Sequence, residues 1–415
     1  MNDVRTLRLS RHTTVWLALA GLLIYGAVYC KEIADGGTPH YCFVFVIAAF
    51  IAAIVGIGWS SVEPAPTESR TDDSPRLHRI LYAALAIHLV VALLIVHYFP
   101  GNVIDVFTEN EAAAHALLHG IDPYTITQTN IYSPEEVARY YPPGTLVNSR
   151  LQFGFVYPPV NLFAVIPGYL LGDVRYSSIA AILISAILIA RMQTTKFIVA
   201  ISCILLLNPL TFVLERFNWS EVFVVAFLCA TLYAAIKEKW WLPIALGLFI
   251  CSKQFAIFAL PFFFLLQARS WKSSLKLLAQ ALCVAGFVTV PFALWNIPHF
   301  VHDILIFHAK GPFRVDSLSF AVPLGHPIPL SIILGLVIAA TAWSLRVTAR
   351  HPAMFAACYG LVLLVFVCLG RQAFQNYYFL IAQSFWLAAA ASVIPISSSA
   401  REQDIDTKRG AVTAS

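Results

Sequence analysis

Apolar runs recur along almost the whole chain, near 14–30, 41–60, 78–98, 155–172, 176–190, 197–214, 220–236, 241–267, 272–295, 328–345, 353–370 and 373–395. Most are long enough to cross a hydrocarbon layer of about 30 Å. No water reaches the middle of that layer, so backbone N–H and C=O groups must pair within each segment, and the runs are expected to be helices. Composition leaves little alternative. Of 415 residues, 59% are hydrophobic and 12% charged, with a mean hydropathy of +0.75. A soluble domain carries roughly twice that share of charge. The expected fold class is an all-α polytopic membrane protein with about 10–13 transmembrane or re-entrant helices and a large outer loop carrying short helices. A single membrane-embedded domain is expected over 1–396, followed by a disordered cytoplasmic tail over 397–415.

The placement of Lys and Arg sets the orientation. Arg5, Arg8 and Arg11 put the N-terminus in the cytoplasm. The first apolar run lacks a small-x-small cleavage site, so it reads as a span that stays. Three spans then place loop 99–154 outside. Lys237 with Lys239, the group Arg269, Lys272 and Lys276, and Arg346 with Arg350 mark inner loops. Segments 214–219, 296–327 and 370–376 accordingly fall outside. Basic clusters flank both ends of 241–267, which argues for a hairpin of two half-helices meeting near Lys253. The prolines of 155–172 argue for a segment that dips in without crossing. These positions imply a multi-pass membrane protein whose unusual chemistry faces outward; the expected location is a bacterial inner membrane with the active site on the outer face.

Several partners are unlikely on composition alone. No basic soluble segment interleaved with aromatics is present, so nucleic acid is not expected, and membrane lipid is. No Cys/His metal spacing occurs, and no cofactor is expected. Most cysteines lie in apolar runs, where they act as small hydrophobes, while Cys30 and Cys42 flank one short loop that could hold a disulfide.

Polar residues that interrupt this apolar background are the candidate site. In 102–124, Thr108-Glu109-Asn110-Glu111 reads as a capping box, Gly120 as the residue that closes the helix, and Asp122-Pro123 as a turn. Asp105 has no such structural task and lies close to the membrane surface. Lys253, with Gln254 beside it, sits mid-run, where an ammonium costs a few kcal/mol and usually faces a cavity or partner. A hairpin would bring it to the outer surface. Arg371, Gln372 and Asn376 offer phosphate or sugar contacts, against the alternative of an interfacial belt. Glu215, Arg216 and Asn218 either pair with one another or line a sugar site. In loop 296–327, His308 with Lys310 is the first choice.

The order of these features resembles the C-type glycosyltransferases, specifically glycosyltransferase family 87, the polyprenol-phosphate-mannose-dependent mannosyltransferases. The matching residues are Asp105, the helix end Leu117-Leu118-His119-Gly120, Asp122-Pro123-Tyr124, and Val156-Tyr157-Pro158-Pro159. Asn208-Pro209, Asn218, Lys253 and Pro261 continue the series, over roughly 100–380. Two departures stand out. Arg216-Phe217 replaces a Gly-Gln common in the family, and two extra spans precede the Asp105 loop. The resemblance implies an inverting hexosyltransferase that takes a sugar, mannose by default, from a polyprenyl-phosphate sugar to a glycolipid or glycan acceptor. It implies Asp105 as general base, cation contacts from Lys253 or Arg371 to the leaving phosphate, substrate contacts from Tyr157, and no metal.

Two other classes fit a polytopic chain. A transporter or flippase would place its charges near mid-bilayer and show an inverted repeat, which the sequence lacks. An O-antigen polymerase or ligase would rest on the Arg and His of loop 296–327 and leave Asp105 dispensable.

Overall fold

The structure is a computed structural model and describes residues 6–33, 40–65, 75–101, 104–267 and 270–397. The strands among these residues are short: β1 (Thr6–Leu9), β2 (Val62–Pro64), β3 (Gln128–Thr129), β4 (Leu146–Val147), β5 (Arg150–Leu151) and β6 (Ile396–Ser397). β1 pairs antiparallel with β2 and β6, which gathers the N-terminal segment, the connection after the second helix and the C-terminal segment at one face. We refer to this as the strand face. The other small sheet, ordered β3-β5-β4, belongs to the first large loop on the opposite, loop face.

Helices fill the space between the two faces. α1 (Arg11–Ile33), α2 (His40–Gly58) and α3 (Pro75–Tyr98) traverse it in turn. The first loop then carries α4 (Asp105–Leu118) and α5 (Pro134–Tyr140). α6 (Pro159–Leu170) and α7 (Arg175–Met192) follow. The chain continues through α8 (Lys196–Leu207), α9 (Pro209–Phe217), α10 (Glu221–Ile236) and α11 (Leu242–Ile250). After a 3-10 segment over Gln254–Leu265 comes α12 (Trp271–Trp295). The second loop holds α13 (Ile297–Val301), a π turn at His302–Ile306, α14 (Phe307–Lys310) and α15 (Ala321–Leu324). The chain ends with α16 (Leu330–Val347), α17 (Pro352–Leu369) and α18 (Gln375–Ser392). Seven of these helices are long and apolar enough to cross a membrane, and the bent pair α8–α9 makes an eighth. The protein is an all-α polytopic membrane protein. α17 is buried almost all round, whereas α3, α12 and α16 leave most of their apolar surface open, as lipid-facing helices do.

The segments that do not cross are explained by their prolines and polar residues. α6 starts beside Tyr157. Its C-terminal turn packs on α7, where Gly168 N–H donates to Ser177 Oγ at 2.7 Å. Arg175 at the start of α7 donates to the carbonyls of Phe99 (2.8 Å) and Val96 (3.4 Å), at the end of α3. α6 thus returns to the face where α3 ended, and α7 makes the crossing. α11 rises from the strand face to Lys253, which meets Ser220 and Glu221 at the N-terminus of α10. The 3-10 segment then descends, and Phe263 and Phe264 pack against Trp271 at the start of α12. Segment 242–265 is a hairpin, as its basic flanks imply.

The bend of 47° between α8 and α9 has a local cause. Pro209 has no N–H to donate, so carbonyls one turn earlier lose their helical partner. Thr211 Oγ1 donates to Leu205 O at 2.7 Å, and His88 Nδ1 lies 2.6 Å from Leu206 O. Asn208 caps the new helix by accepting from Leu210 N–H at 2.8 Å. His88 Nε2 also meets Glu215 Oε1 at 2.8 Å. The side chains of Glu215, Arg216 and Asn218 therefore turn to other partners: Glu215 takes His88, Arg216 lies over the Phe99 ring at 4.3 Å, and Asn218 accepts from Ser178. Cys30 and Cys42 are free thiols, so the disulfide alternative for that loop is not realised. Arg5, Arg269 and the tail from 398 onward lie outside the described residues.

Arg175 is a hub of this arrangement. It is buried, forks onto Asp173 at 2.6–3.1 Å, and stacks 5.2 Å from the Phe107 ring of α4. Removing one partner of a buried pair strands the other. Arg175→Met should therefore lower stability in detergent by roughly 3–5 kcal/mol, read as a drop in Tm.

Candidate active site

Asp105 opens α4, and its position is set by contacts from far along the chain. Ile104 before it is extended, with φ −154 and ψ 154, and gives no side-chain cap. Instead Asp105 N–H donates to Tyr132 Oη at 3.1 Å, and Asp105 Oδ1 accepts from Val106 N–H at 2.9 Å. The other carboxylate oxygen, Oδ2, accepts from Tyr141 Oη at 2.5 Å. A carboxylate at a helix N-terminus is favoured by the helix dipole, and a hydroxyl donor strengthens that preference.

The expected capping box is overturned. α4 begins at Asp105, so Thr108 lies inside it and its hydroxyl donates to Asp105 O at 2.7 Å. Glu109 falls in the second turn and is buried (3% exposed). Glu111 is half-buried, and burial together with Asp173 raises its carboxyl above the ordinary range despite Arg175. The far end of the helix matches expectation. Gly120 adopts φ +73, its N–H donates to Leu117 O at 3.0 Å, and Ile121 N–H donates to Ala116 O at 2.9 Å. That double bond pattern is the Schellman closure, which favours glycine at this position. Asp122 then closes its turn by accepting from Tyr124 N–H at 3.0 Å.

Asp105 and Glu109 line a polar cavity of about 460 Å³ on the loop face. Tyr132, Tyr141, Tyr157, Trp219, His308, Arg314, Gln372 and Tyr377 contribute to its walls, so the segments expected on one face do converge there. Arg314 is held in place from several sides. Its guanidinium forks onto Asp316 (2.8 and 2.7 Å) and lies between Tyr140 (4.2 Å) and Phe374 (4.8 Å). Burial would raise Asp316, but the Arg314 fork, a backbone N–H and Arg139 at 3.4 Å together hold the carboxyl below its usual range. His308 opens onto the cavity beneath the loops. It is exposed there, and its Nε2 lies 3.0 Å from Val156 O.

The remaining sequence candidates have structural partners or stand aside. Lys253 is not at the outer surface. It is buried at 4% exposure, its ammonium capped by Glu221 and donating to Ser220 Oγ at 2.9 Å. It lies 5.2 Å from the ring centres of both Tyr157 and Tyr377, behind the cavity wall that those rings form. Gln254 donates to the carbonyls of Val156 (3.0 Å) and Ile304 (3.1 Å). Asn218 is buried in the left-handed conformation that ends α9 and accepts from Ser178 Oγ at 2.5 Å. Gln372 reaches the cavity and donates to Pro312 O at 3.4 Å. Lys310 and Arg371 are exposed and stand outside the wall.

Sequence reading missed Glu221, Arg314 and the tyrosines Tyr132, Tyr141 and Tyr377. Glu221 neutralises Lys253 and accepts from Asn376 Nδ2 at 2.9 Å, a cluster assembled from three distant segments. Arg314 was visible as a cation in the second loop, but nothing in its neighbourhood separated it from Lys310. Among the described residues, no group of three or more His, Cys, Asp or Glu could hold a metal ion.

No family model and no curated protein sequence matches the chain. Among solved structures it is similar to ArnT from Cupriavidus metallidurans bound to undecaprenyl phosphate, with 20% identity and a TM-score of 0.50. The match covers 75% of this chain and 59% of that one. The same ArnT in the apo state matches with 19% identity and a TM-score of 0.46. The chain thus spans about three-fifths of the length of ArnT, and what the two share is the fold.

The two loops are joined at Gly154, whose N–H donates to Asp303 Oδ2 at 2.8 Å. A Cβ there would lie 2.5 Å from Tyr124 O and 2.7 Å from Asp303 Oδ2. Gly154→Ala should separate the loops and cost about 1–3 kcal/mol, measured as a lower Tm in detergent.

Proposed function

We propose that the protein is an inverting glycosyltransferase. It moves a hexose, mannose in the first instance, from a polyprenyl-phosphate sugar to a glycolipid or glycan acceptor at the outer face of a bacterial inner membrane. The observation that carries this reading is Asp105: a carboxylate on the wall of a polar cavity, oriented by Tyr141 and by a helix N-terminus. The fold shared with ArnT, which was crystallised with undecaprenyl phosphate, supports a lipid-linked donor.

In this mechanism the acceptor hydroxyl lies against Asp105. The carboxylate takes its proton as that oxygen bonds to the anomeric carbon. The bond from that carbon to the phosphate oxygen breaks on the opposite side, and polyprenyl phosphate leaves with the electron pair. The configuration is inverted. Tyr141 holds the base in position by its hydrogen bond. Arg314, on the cavity wall, is the cation best placed to meet the phosphate. Lys253 acts from behind the wall through Tyr157 and Tyr377, since Glu221 occupies its ammonium. A polyprenyl phosphate leaving group carries less charge than a diphosphate, so the transfer is proposed to need no metal.

Asp105→Asn should reduce sugar transfer from polyprenyl-phosphate mannose in membranes by about 100-fold or more, the usual contribution of a positioned base. Wild-type rates in that variant would remove Asp105 from the mechanism. Treatment with EDTA should leave the rate intact. A loss reversed by Mg²⁺ or Mn²⁺ would overturn metal independence.

A further inference from the structure

Glu109 is a second acid on the cavity wall, one helical turn after Asp105 and on the same face of α4. Its side chain is buried, and Oε2 has no hydrogen-bond partner. A buried carboxylate oxygen without a donor is an expensive arrangement, whereas a neutral carboxylic acid brings its own donor. The charged groups that act on it are both carboxylates, Asp105 on its own helix and Asp303 from the second loop. The other titratable groups that face it are tyrosines: Tyr132 and Tyr141 from the first loop, and Tyr157 ahead of α6. Burial, followed by the two neighbouring carboxylates, pushes the Glu109 carboxyl well above its ordinary range. The cavity wall also carries the carboxyls of Glu32, Glu136 and Asp316. The cations on the same wall, Lys31 and Arg314, lie beside Glu32 and Asp316, so an anionic ligand gains from donors that bring no further negative charge.

We propose that Glu109 works as a neutral carboxylic acid that donates a hydrogen bond to a phosphate oxygen of the lipid-linked donor. Asp105, which accepts from Tyr141, keeps the role of base in the proposed transfer. The inference rests on the glycosyltransferase reading and adds a substrate-binding role that the acidity of the wall alone would not suggest. It also sets a pH limit. The donor is present while Glu109 is protonated. As pH rises through its raised pKa, the hydrogen bond is lost and a charge that repels phosphate takes its place.

Binding of undecaprenyl phosphate to the full-length protein in nanodiscs tests this across neutral to alkaline pH. In the wild type, Kd should rise about tenfold or more as Glu109 ionises. Glu109→Gln keeps an N–H donor and cannot ionise, so its curve should lack that rise. Comparing the two curves cancels the ionisation of the lipid itself. The infrared difference between wild type and Glu109→Gln should show a protonated carboxyl band at neutral pH. Superimposable binding curves, or no such band, would overturn the inference and leave the Asp105 mechanism standing. A Glu109→Gln protein that fails to fold also counts against it, because the amide is nearly isosteric with a neutral acid. If the wild type binds no undecaprenyl phosphate at any pH, the glycosyltransferase reading falls as well.

Discussion

Every polar backbone group inside the helical body must find a partner there, because the hydrocarbon around it offers none. Unbroken helices meet that demand by themselves. Each break needs a side chain to answer it, and these breaks shape the loop face. Thr211 and His88 meet carbonyls near the bend before Pro209. Asn218 ends α9 in a left-handed turn, and its carbonyl accepts from Asn110 of α4 at 3.2 Å. Asn161 donates to Ser252 O at the hairpin tip. The polar residues that interrupt the apolar runs thus serve first as partners for freed backbone. The cavity forms where several such breaks meet beneath the two loops.

The electrostatics of that cavity follow from the same economy of partners. Its cations are already engaged. Arg314 forks onto Asp316, and Lys253 is capped by Glu221 behind the wall. Its wall carries a set of tyrosines, and the two acids of α4 that lie on it differ in character. Asp105 receives a donor from Tyr141, while Glu109 retains an oxygen with none. Two carboxyls one turn apart thus have different surroundings, one with a hydroxyl donor and one buried without, which is how a site divides roles between like groups.

Much of the fold was legible in the sequence, and the reasons are local. Apolar run length marked the spanning helices, and basic flanks marked the hairpin at 241–267. Gly120 was readable because a left-handed closure favours a residue without a Cβ. The start of α4 was misread for an equally physical reason. Thr108 and Glu111 have the spacing of a capping box. Yet the first free N–H is satisfied by Tyr132, 27 residues later, so the helix begins at Asp105. That shift moved Glu109 from a solvated first turn to the buried wall of the cavity. Lys253 was correctly singled out as costly, but its partner Glu221 lies 32 residues earlier, at the start of another helix.

By itself, the sequence determined that this chain lies in a membrane as helices and that its apolar runs break at prolines and polar residues. Those properties depend on hydropathy, proline and glycine, which act within a turn or two of the residue. Which polar groups meet was decided by the tertiary structure alone: Lys253 with Glu221, His88 with Glu215, the Gly154 N–H with Asp303, and the Tyr141 hydroxyl with Asp105. Such pairings join groups on separate elements, and in a medium with little water each polar group takes whatever partner the packing brings within reach.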